Sequence, residues 1–507
     1  MNVLVQPAGR AARGGAPATL GLVVLLLAVA TATVVAVVAG GGNPVVAVTP
    51  VALVVGVYLL AKVPLRWSAA ALLALMLTLD DTSETFGHWR TPLALVGDML
   101  HSRLDAVIGI PKLAVTGMEV IVLFLFGVWI YRKATGARVD APGEAQSATV
   151  LRDLVLLYVA GVLFAELNGL ARGLPAAPWK LRNLLHPAML FFLFQAAFGG
   201  ARDHRLLGRI VVFAACVKAV LAFIVQRIAV AETGGAYATA TSHGDSVLFS
   251  VAAFLLLADL AERPDRGRLV RAALLLPIIL VGMVENDRRI VWVMLVMMLI
   301  LAYVISPMKG WKRWLTRLLV MSTPLIALYV GVGWDRGSKV FAPVRTLRSV
   351  SDSSVDHSAY WREVEIWNIA MSMRERPLLG VGLGGEYTES MKNDDISSVY
   401  KEYRQWPHNT VLGLLLLMGL FAFTATWALM AAVVFLGVRS FRMATTPDQR
   451  VAALGCLGAV IACYVMAYGD TGAHYPQHKI FAALAIAVVG KLAVVTGAWP
   501  KRLRRIA

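Results

Sequence analysis

The chain has 507 residues, 58% of them hydrophobic and 16% charged, with a mean hydropathy of +0.69. That is too apolar for a soluble globular chain and fits a polytopic membrane protein. The formal charge of +17 therefore reads as positive-inside bias and contact with anionic lipid, not as a nucleic-acid surface. The three cysteines, Cys216, Cys456 and Cys463, all lie in apolar runs, which excludes a disulfide framework and a cysteine metal site.

In chain order, residues 1–17 carry only Arg10 and Arg13 as charges. The apolar run at 18–40 reads as a retained signal-anchor helix. Further runs lie near 44–62, 67–80, 112–131, 150–167, 181–200, 209–230, 246–261, 270–286, 290–306, 315–333, 409–437, 450–468 and 479–497. Each approaches the ~20 residues that cross ~30 Å of hydrocarbon. The expected fold is an all-α, polytopic transmembrane bundle of about 12–14 helices, with one long extracytoplasmic loop that contains short amphipathic helices. The runs at 67–80 and 270–286 are short, and the range in the helix count comes from them.

Charge sets the expected orientation. With the N-terminus inside, the inner segments hold 26 of the 48 Lys and Arg residues, and short outer connections such as 40–44 and 231–245 hold none. Both termini are then cytoplasmic, and the polar loop Trp334–His408 is extracytoplasmic despite its ten cations. ATP is absent from that compartment, so chemistry there needs a pre-activated substrate. The domains follow as 1–244, N-terminal helices; 245–437, the chemistry-bearing region with the loop 334–408; and 438–507, C-terminal helices.

No nucleotide site is expected. GVGLGG at Gly380–Gly385 looks superficially like a dinucleotide fingerprint but lacks the preceding strand and following helix. His474 and His478 have helical spacing, but Pro476 breaks the helix that would align them on a metal. No metal or cofactor is expected, and there is no internal repeat.

The long loop has local structure of its own. Trp361, Val364, Trp367 and Met371 recur at spacings of three and four, broadened by Ile366, Ile369 and Met373, so a helix runs from about Ser358 to Glu375. Asp356 or Ser358 can cap it, and Pro377 ends it. Arg362 lies on its polar edge, where an i,i+3 salt bridge to Glu365 is the bland reading and anion binding the functional one. Gly380, Gly382, Gly384 and Gly385 permit a tight turn or a close approach to a ligand. Asn409 is a natural N-cap for the next apolar helix. His408, just before it, is either an interfacial histidine or a general base with neighbouring cations holding it neutral. Elsewhere, Glu285–Arg289 forms a polar hairpin whose adjacent arginines, Arg288 and Arg289, suit an anion between them. Lys218 and Arg227 sit within one span, where charge marks a path or a partner.

These elements together resemble the O-antigen ligase and polymerase superfamily. The resemblance rests on RPLLGVGLG followed by PHNTVLGLLLLMGLF, with an arginine motif at Asp287–Trp292, and covers roughly residues 245–435. The family motif has one arginine followed by a small residue, and here either Arg288 or Arg289 could match it. The resemblance implies a membrane glycosyltransferase. It would move a glycan from an undecaprenyl-diphosphate carrier to an acceptor hydroxyl, with inversion and without metal. His408 would be the base. Arg362, Arg288 and Arg289 would hold the diphosphate, with Arg227 grouped beside them. Asn409, Gly380, Gly382, Gly384, Glu386 and His243 would position substrate or acceptor.

The implied partners are the lipid-linked glycan donor, a glycan or lipid acceptor and membrane lipids, with no nucleic acid. The implied place is a bacterial inner membrane. A polymerase is the first expectation and a ligase acting on a lipid A core the alternative. A flippase or transporter is the competitor from another class, disfavoured by the lack of related halves and of visible broken helices.

Overall fold

A computed structural model describes chiefly residues 62–79, 94–101, 115–135, 147–235, 240–308, 310–336, 357–397, 402–472 and 475–500, with Tyr400 and short stretches elsewhere. Contacts divide the chain into two compact units. The first is Met1–Pro64 with Leu104–Leu113. Its described part includes an apolar helix, Leu26–Val35, that exposes Leu26, Leu27, Val34 and Val35. Most of the first two expected spans lie outside the described residues.

The second unit is all-helical among the described residues. It begins with α1 (Leu65–Thr78), α2 (Ala94–His101), α3 (Gly117–Ala134), α4 (Thr149–Ala171) and α5 (Ala177–Ala197). Then come α6 (Ala201–Thr233), α7 (Asp245–Glu262), α8 (Arg266–Asn286), α9 (Arg289–Ile305) and α10 (Gly310–Gly333). The last are α11 (His357–Glu375), α12 (Thr410–Met443), α13 (Pro447–Gly469) and α14 (Pro476–Val495). Apart from α2 and the amphipathic α11, each coincides with an apolar run in the sequence. Seven of these helices are long and apolar enough to cross a membrane, and α1 and α9 are shorter apolar helices. The protein is therefore a polytopic all-α membrane bundle.

Local chemistry sets the helix ends. α6 starts well before its apolar run because the Asp203 carboxylate accepts the N–H groups of Gly199 and Gly200. It ends at Gly234, whose φ of 71° suits only glycine. α13 and α14 form the centre: 89% of the α14 span is buried, against none of the α10 span. α14 packs on α13, α5 and α12, while α7 packs on α13, α8, α6 and α9. The intramembrane cation Lys218 has a partner, since its Nζ lies 3.3 Å from the fully buried Asp245 carboxylate.

α12 is broken. Gly419 has φ 67° and ψ 170° inside it, so the helical ladder stops in the apolar phase. An unpaired peptide group there costs several kcal/mol. The chain just after α11 fills the break. Val381 and Gly382 N–H donate to the carbonyls of Leu416 and Leu417 at 2.9 and 3.0 Å. Leu420 and Phe421 N–H donate to the carbonyls of Pro377 and Leu378 at 2.9 and 3.2 Å. Leu383 N–H donates to Ala165 of α4 at 3.0 Å, and Asn168 and Arg172 donate to the carbonyls of Leu379 and Val381. Only glycines fit so close. Gly380, Gly382 and Gly384 have φ of 71°, 80° and 78°. A Cβ on Gly380 would lie 2.5 Å from the Gly419 nitrogen, and one on Gly384 2.7 Å from the Ala177 nitrogen.

α11 differs in its inward face from the expected stripe. The buried positions are Trp361, Val364, Glu365, Asn368, Ile369 and Ser372, whereas Trp367 is 50% exposed. Hydrogen bonds explain the rotation. Asn368 exchanges two with the Met391 backbone, and Ser372 accepts the Thr388 N–H, so polar side chains replace apolar ones on the packed side.

Gly419→Ala should lower the thermal midpoint of the purified protein and its yield. A side chain in the left-handed region costs ~1–2 kcal/mol, and here its Cβ would also lie 2.4 Å from the Gly380 nitrogen. Gly331→Ala in α10, where nothing lies within 4 Å, should melt as the wild type does.

Candidate active site

The chemistry-bearing residues gather at one end of the second unit, where α7, α9, α12 and α14 begin and α8 and α13 finish. His408 stands between Pro407 and Asn409. The proline keeps the chain extended before the helix, and Gly413 leaves room for its ring, since a Cβ there would lie 2.7 Å from Pro407 Cγ. Asn409 caps α12 through Leu412 N–H at 3.1 Å. His408 N–H is thus outside the helix ladder and donates to both oxygens of Glu365, at 3.2 and 3.0 Å. The same carboxylate lies 3.3 Å from His408 Nδ1.

Glu365 is 0% exposed. It therefore does not make the i,i+3 bridge to Arg362; its carboxylate is used on His408. The group against His408 Nδ1 is an acid, not a cation. If Nδ1–H donates to Glu365, Nε2 carries the lone pair, which is the arrangement a general base needs. Trp361 packs edge-on to the ring at 4.9 Å and Tyr400 at 6.1 Å. Burial, followed by the charges of Glu402, Asp470 and Glu365, pushes the Tyr400 hydroxyl up, so it stays protonated.

A second histidine–carboxylate pair lies nearby. His243 Nδ1 is 2.6 Å from Asp470 Oδ2. Burial alone would push the Asp470 carboxyl up. The hydrogen bond from His243, its charge when protonated, the Thr471 N–H and the charge of His408 when protonated outweigh it and hold it at about 2. The His243 ring stacks on Tyr475 at 5.8 Å and contacts Nη1 of Arg288, which is 2.7 Å from Nδ1. Asp287 closes α8 in the left-handed region with φ 48°, and Arg288 then stands at the N-cap position of α9 without a side-chain cap hydrogen bond. The two adjacent arginines thereby part: Arg288 is half-buried against His243, and Arg289 is exposed. Thr410 links the pairs, its hydroxyl donating to the Asp470 carbonyl at 3.1 Å.

The other sequence-derived residues are distributed differently. Arg362 is half-buried on α11, in the turn of Trp361 and Glu365, and forms no ion pair with the described residues. Arg227 is exposed on α6 and lies 4.6 Å over the Phe223 ring of its own helix, with no described contact to the cluster. Glu386 is exposed and accepts from Gln405 at 2.9 Å. Gly380 packs on the α12 break, and Gly382 and Gly384 pack on the backbone of Gly169 and Ala177. His474 lies outside the described residues, and His478 stands in the first turn of α14, which starts at Pro476. Sequence reading missed Glu365 and Asp470 as partners of histidines. Nothing local marks Asp470, whereas the even spacing of Trp361 and Glu365 on one helix face could have flagged Glu365.

The fold and site define an integral membrane protein with a histidine paired to a buried carboxylate at one end of its bundle. Residues 272–427 match the family model described as O-Antigen ligase. That segment, less than half of the chain, is therefore similar to the family its motifs resemble. The match takes in Arg288, Arg289, Arg362, Glu365 and the start of α12 with His408; His243 and Asp470 lie outside it. No curated protein matches the chain.

Glu365→Ala should lower the melting temperature, because it strands the His408 N–H in a partly buried place, at ~1–3 kcal/mol. Glu365→Gln keeps an oxygen for that N–H and should melt close to wild type. Equal melting of wild type and Glu365→Ala would contradict the pairing.

Proposed function

We propose that the protein transfers a glycan from an undecaprenyl-diphosphate carrier to an acceptor hydroxyl on the extracytoplasmic face of a bacterial inner membrane. The observation that carries this reading is His408, held by the buried Glu365 within the segment that matches the O-Antigen ligase family. His408 Nε2 takes the acceptor O–H proton. The acceptor oxygen forms the new bond to C1 of the donor sugar as the bond from C1 to the diphosphate oxygen breaks. The electron pair stays on the departing diphosphate, and attack from the opposite face inverts C1.

Arg362, with Arg288 and Arg289, faces the diphosphate. Guanidinium forks match phosphate oxygens, and fixed positive charge stabilises the leaving group as it forms. That charge makes a metal unnecessary, so a chelator should leave the rate unchanged. Glu386, exposed beside Gln405, is suited to acceptor hydroxyls. With a second lipid-linked glycan as acceptor the chain is a polymerase; with a lipid A core sugar it would be a ligase. Deleting the gene and examining which surface glycan shortens, or loses its attachment, separates the two.

A transporter reading gains nothing from the broken α12. Breaks in transporters line a cavity, whereas this one is filled by residues 377–383.

Two measurements test the proposal. With purified protein and a lipid-diphosphate donor, His408→Ala should lower transfer on the order of 10²–10⁴-fold. Arg362→Lys should recover little of the loss of Arg362→Ala, because an ammonium cannot make the bidentate contact. Wild-type rates in all three would overturn the assignment. For orientation, Ser390→Cys and Thr445→Cys, each exposed, are placed in a variant without Cys216, Cys456 and Cys463. An impermeant thiol reagent should label only the first in intact cells; labelling only the second would reverse the topology.

A further inference from the structure

His243, Asp470 and Tyr475 lie outside the matched segment, and the transfer step above uses none of them. Their geometry nonetheless ends on Arg288. Asp470 Oδ2 is 2.6 Å from His243 Nδ1, and Arg288 Nη1 lies against both ring nitrogens, 2.7 Å from Nδ1 and closer to Nε2. An arginine donates only and does not lose its proton. The Asp470 carboxylate only accepts, so His243 Nδ1 carries the hydrogen and donates it. Nε2 is then the nitrogen left to accept from Arg288. The result is a series in which Arg288 donates to His243 and His243 donates to Asp470, and it requires the neutral ring.

Each member is held from behind. Asp470 Oδ1 accepts the Thr471 N–H at 2.7 Å, and its carbonyl accepts the Thr410 hydroxyl, two residues after His408. The turn that carries His243 is fixed on both sides. The buried Asn286, two residues before Arg288, donates to Thr241 Oγ1 at 2.7 Å and to the Ser242 carbonyl at 3.1 Å. Asp245 accepts from the Ser242 N–H, from Lys218 and from Gln477. Tyr475 covers one face of the ring, nearly parallel at 12°. The imidazole thus has little freedom to turn away.

We infer that His243 and Asp470 are positioning residues that aim the Arg288 guanidinium at the donor diphosphate, and that protonation of His243 releases it. The inference rests on the proposed role of Arg288. A protonated ring has a hydrogen on both nitrogens. It would then face Arg288 with N–H against N–H and cation against cation, while keeping its bond to Asp470. The charged and titratable groups around the ring are Arg288 at α9, Asp470 after α13, Tyr475 before α14, Asp245 of α7 paired with Lys218 of α6, and His408, whose charge reaches Asp470.

The test is donor affinity, measured on the full chain in lipid nanodiscs. The probe is undecaprenyl diphosphate carrying one N-acetylglucosamine, whose diphosphate has no titration in the range used. At about pH 8, Arg288→Ala and His243→Ala should each weaken binding roughly tenfold, and the double variant should be no weaker than either. His243→Gln, whose amide can accept from Arg288 and donate to Asp470, should stay within about threefold of wild type. On acidification to about pH 5.5, wild-type affinity should fall several-fold while His243→Gln holds level.

If Arg288→Ala weakens binding and His243→Ala does not, the inference fails and the transfer reading stands. A loss on acidification that is the same in His243→Gln also overturns it. If wild type does not bind the probe, or Arg288→Ala binds it fully, the clamp fails together with the inference. Should His243→Ala not fold, the comparison of wild type with His243→Gln across pH still decides.

Discussion

The broken helix at Gly419 is the constraint on which the site depends. A transmembrane helix normally satisfies its own backbone, because hydrocarbon offers no partner. α12 gives up that satisfaction at Leu416–Phe421 and recovers it from residues 377–383. The exchange ties the end of α11 to the inside of α12, with α4 closing the third side through Ala165 and Asn168. α11 is thereby packed against α12. Glu365 meets His408 because both their segments are anchored to the same break.

The mouth itself is a problem of buried charge. An isolated carboxylate taken from water is very costly, so each one here is used by a donor. Glu365 takes the backbone and ring of His408; Asp470 takes His243 and Thr471; Asp245 takes Lys218, Ser242 and Gln477. These pairings leave one face of each imidazole defined, with Arg288 at the start of α9 and Arg362 on α11. A histidine held by a buried acid, with arginines at the start of α9 and on α11, suits the proposed reaction, in which a proton leaves an alcohol as negative charge moves onto a diphosphate.

Much of this was legible in the sequence. Hydrophobic runs located the helices from α1 to α14 apart from α2 and α11, because membrane length and apolar content leave few alternatives. The helix over 357–375 followed from its periodicity, and the capping role of Asn409 from its place after Pro407. The pairing of Glu365 was misread because i,i+3 spacing to Arg362 is visible in one dimension, while its distance to His408 is set by tertiary packing. The glycines at 380, 382 and 384 announced unusual backbone but not where it goes. Their destination is the break at Gly419, and a glycine within an apolar run does not by itself signal a break. Asp470 and His243, 227 residues apart by their numbering, had no local mark at all.

The central claim is that Glu365 acts through His408 as one catalytic unit. A double-mutant cycle on glycan transfer by the purified protein tests it most directly, with Glu365→Gln, His408→Ala and the pair measured against one lipid-diphosphate donor. The account predicts that Glu365→Gln slows the wild type markedly and changes the His408→Ala enzyme hardly at all. Losses that simply multiply in the double variant would contradict it, since Glu365 would then contribute independently of the histidine it holds.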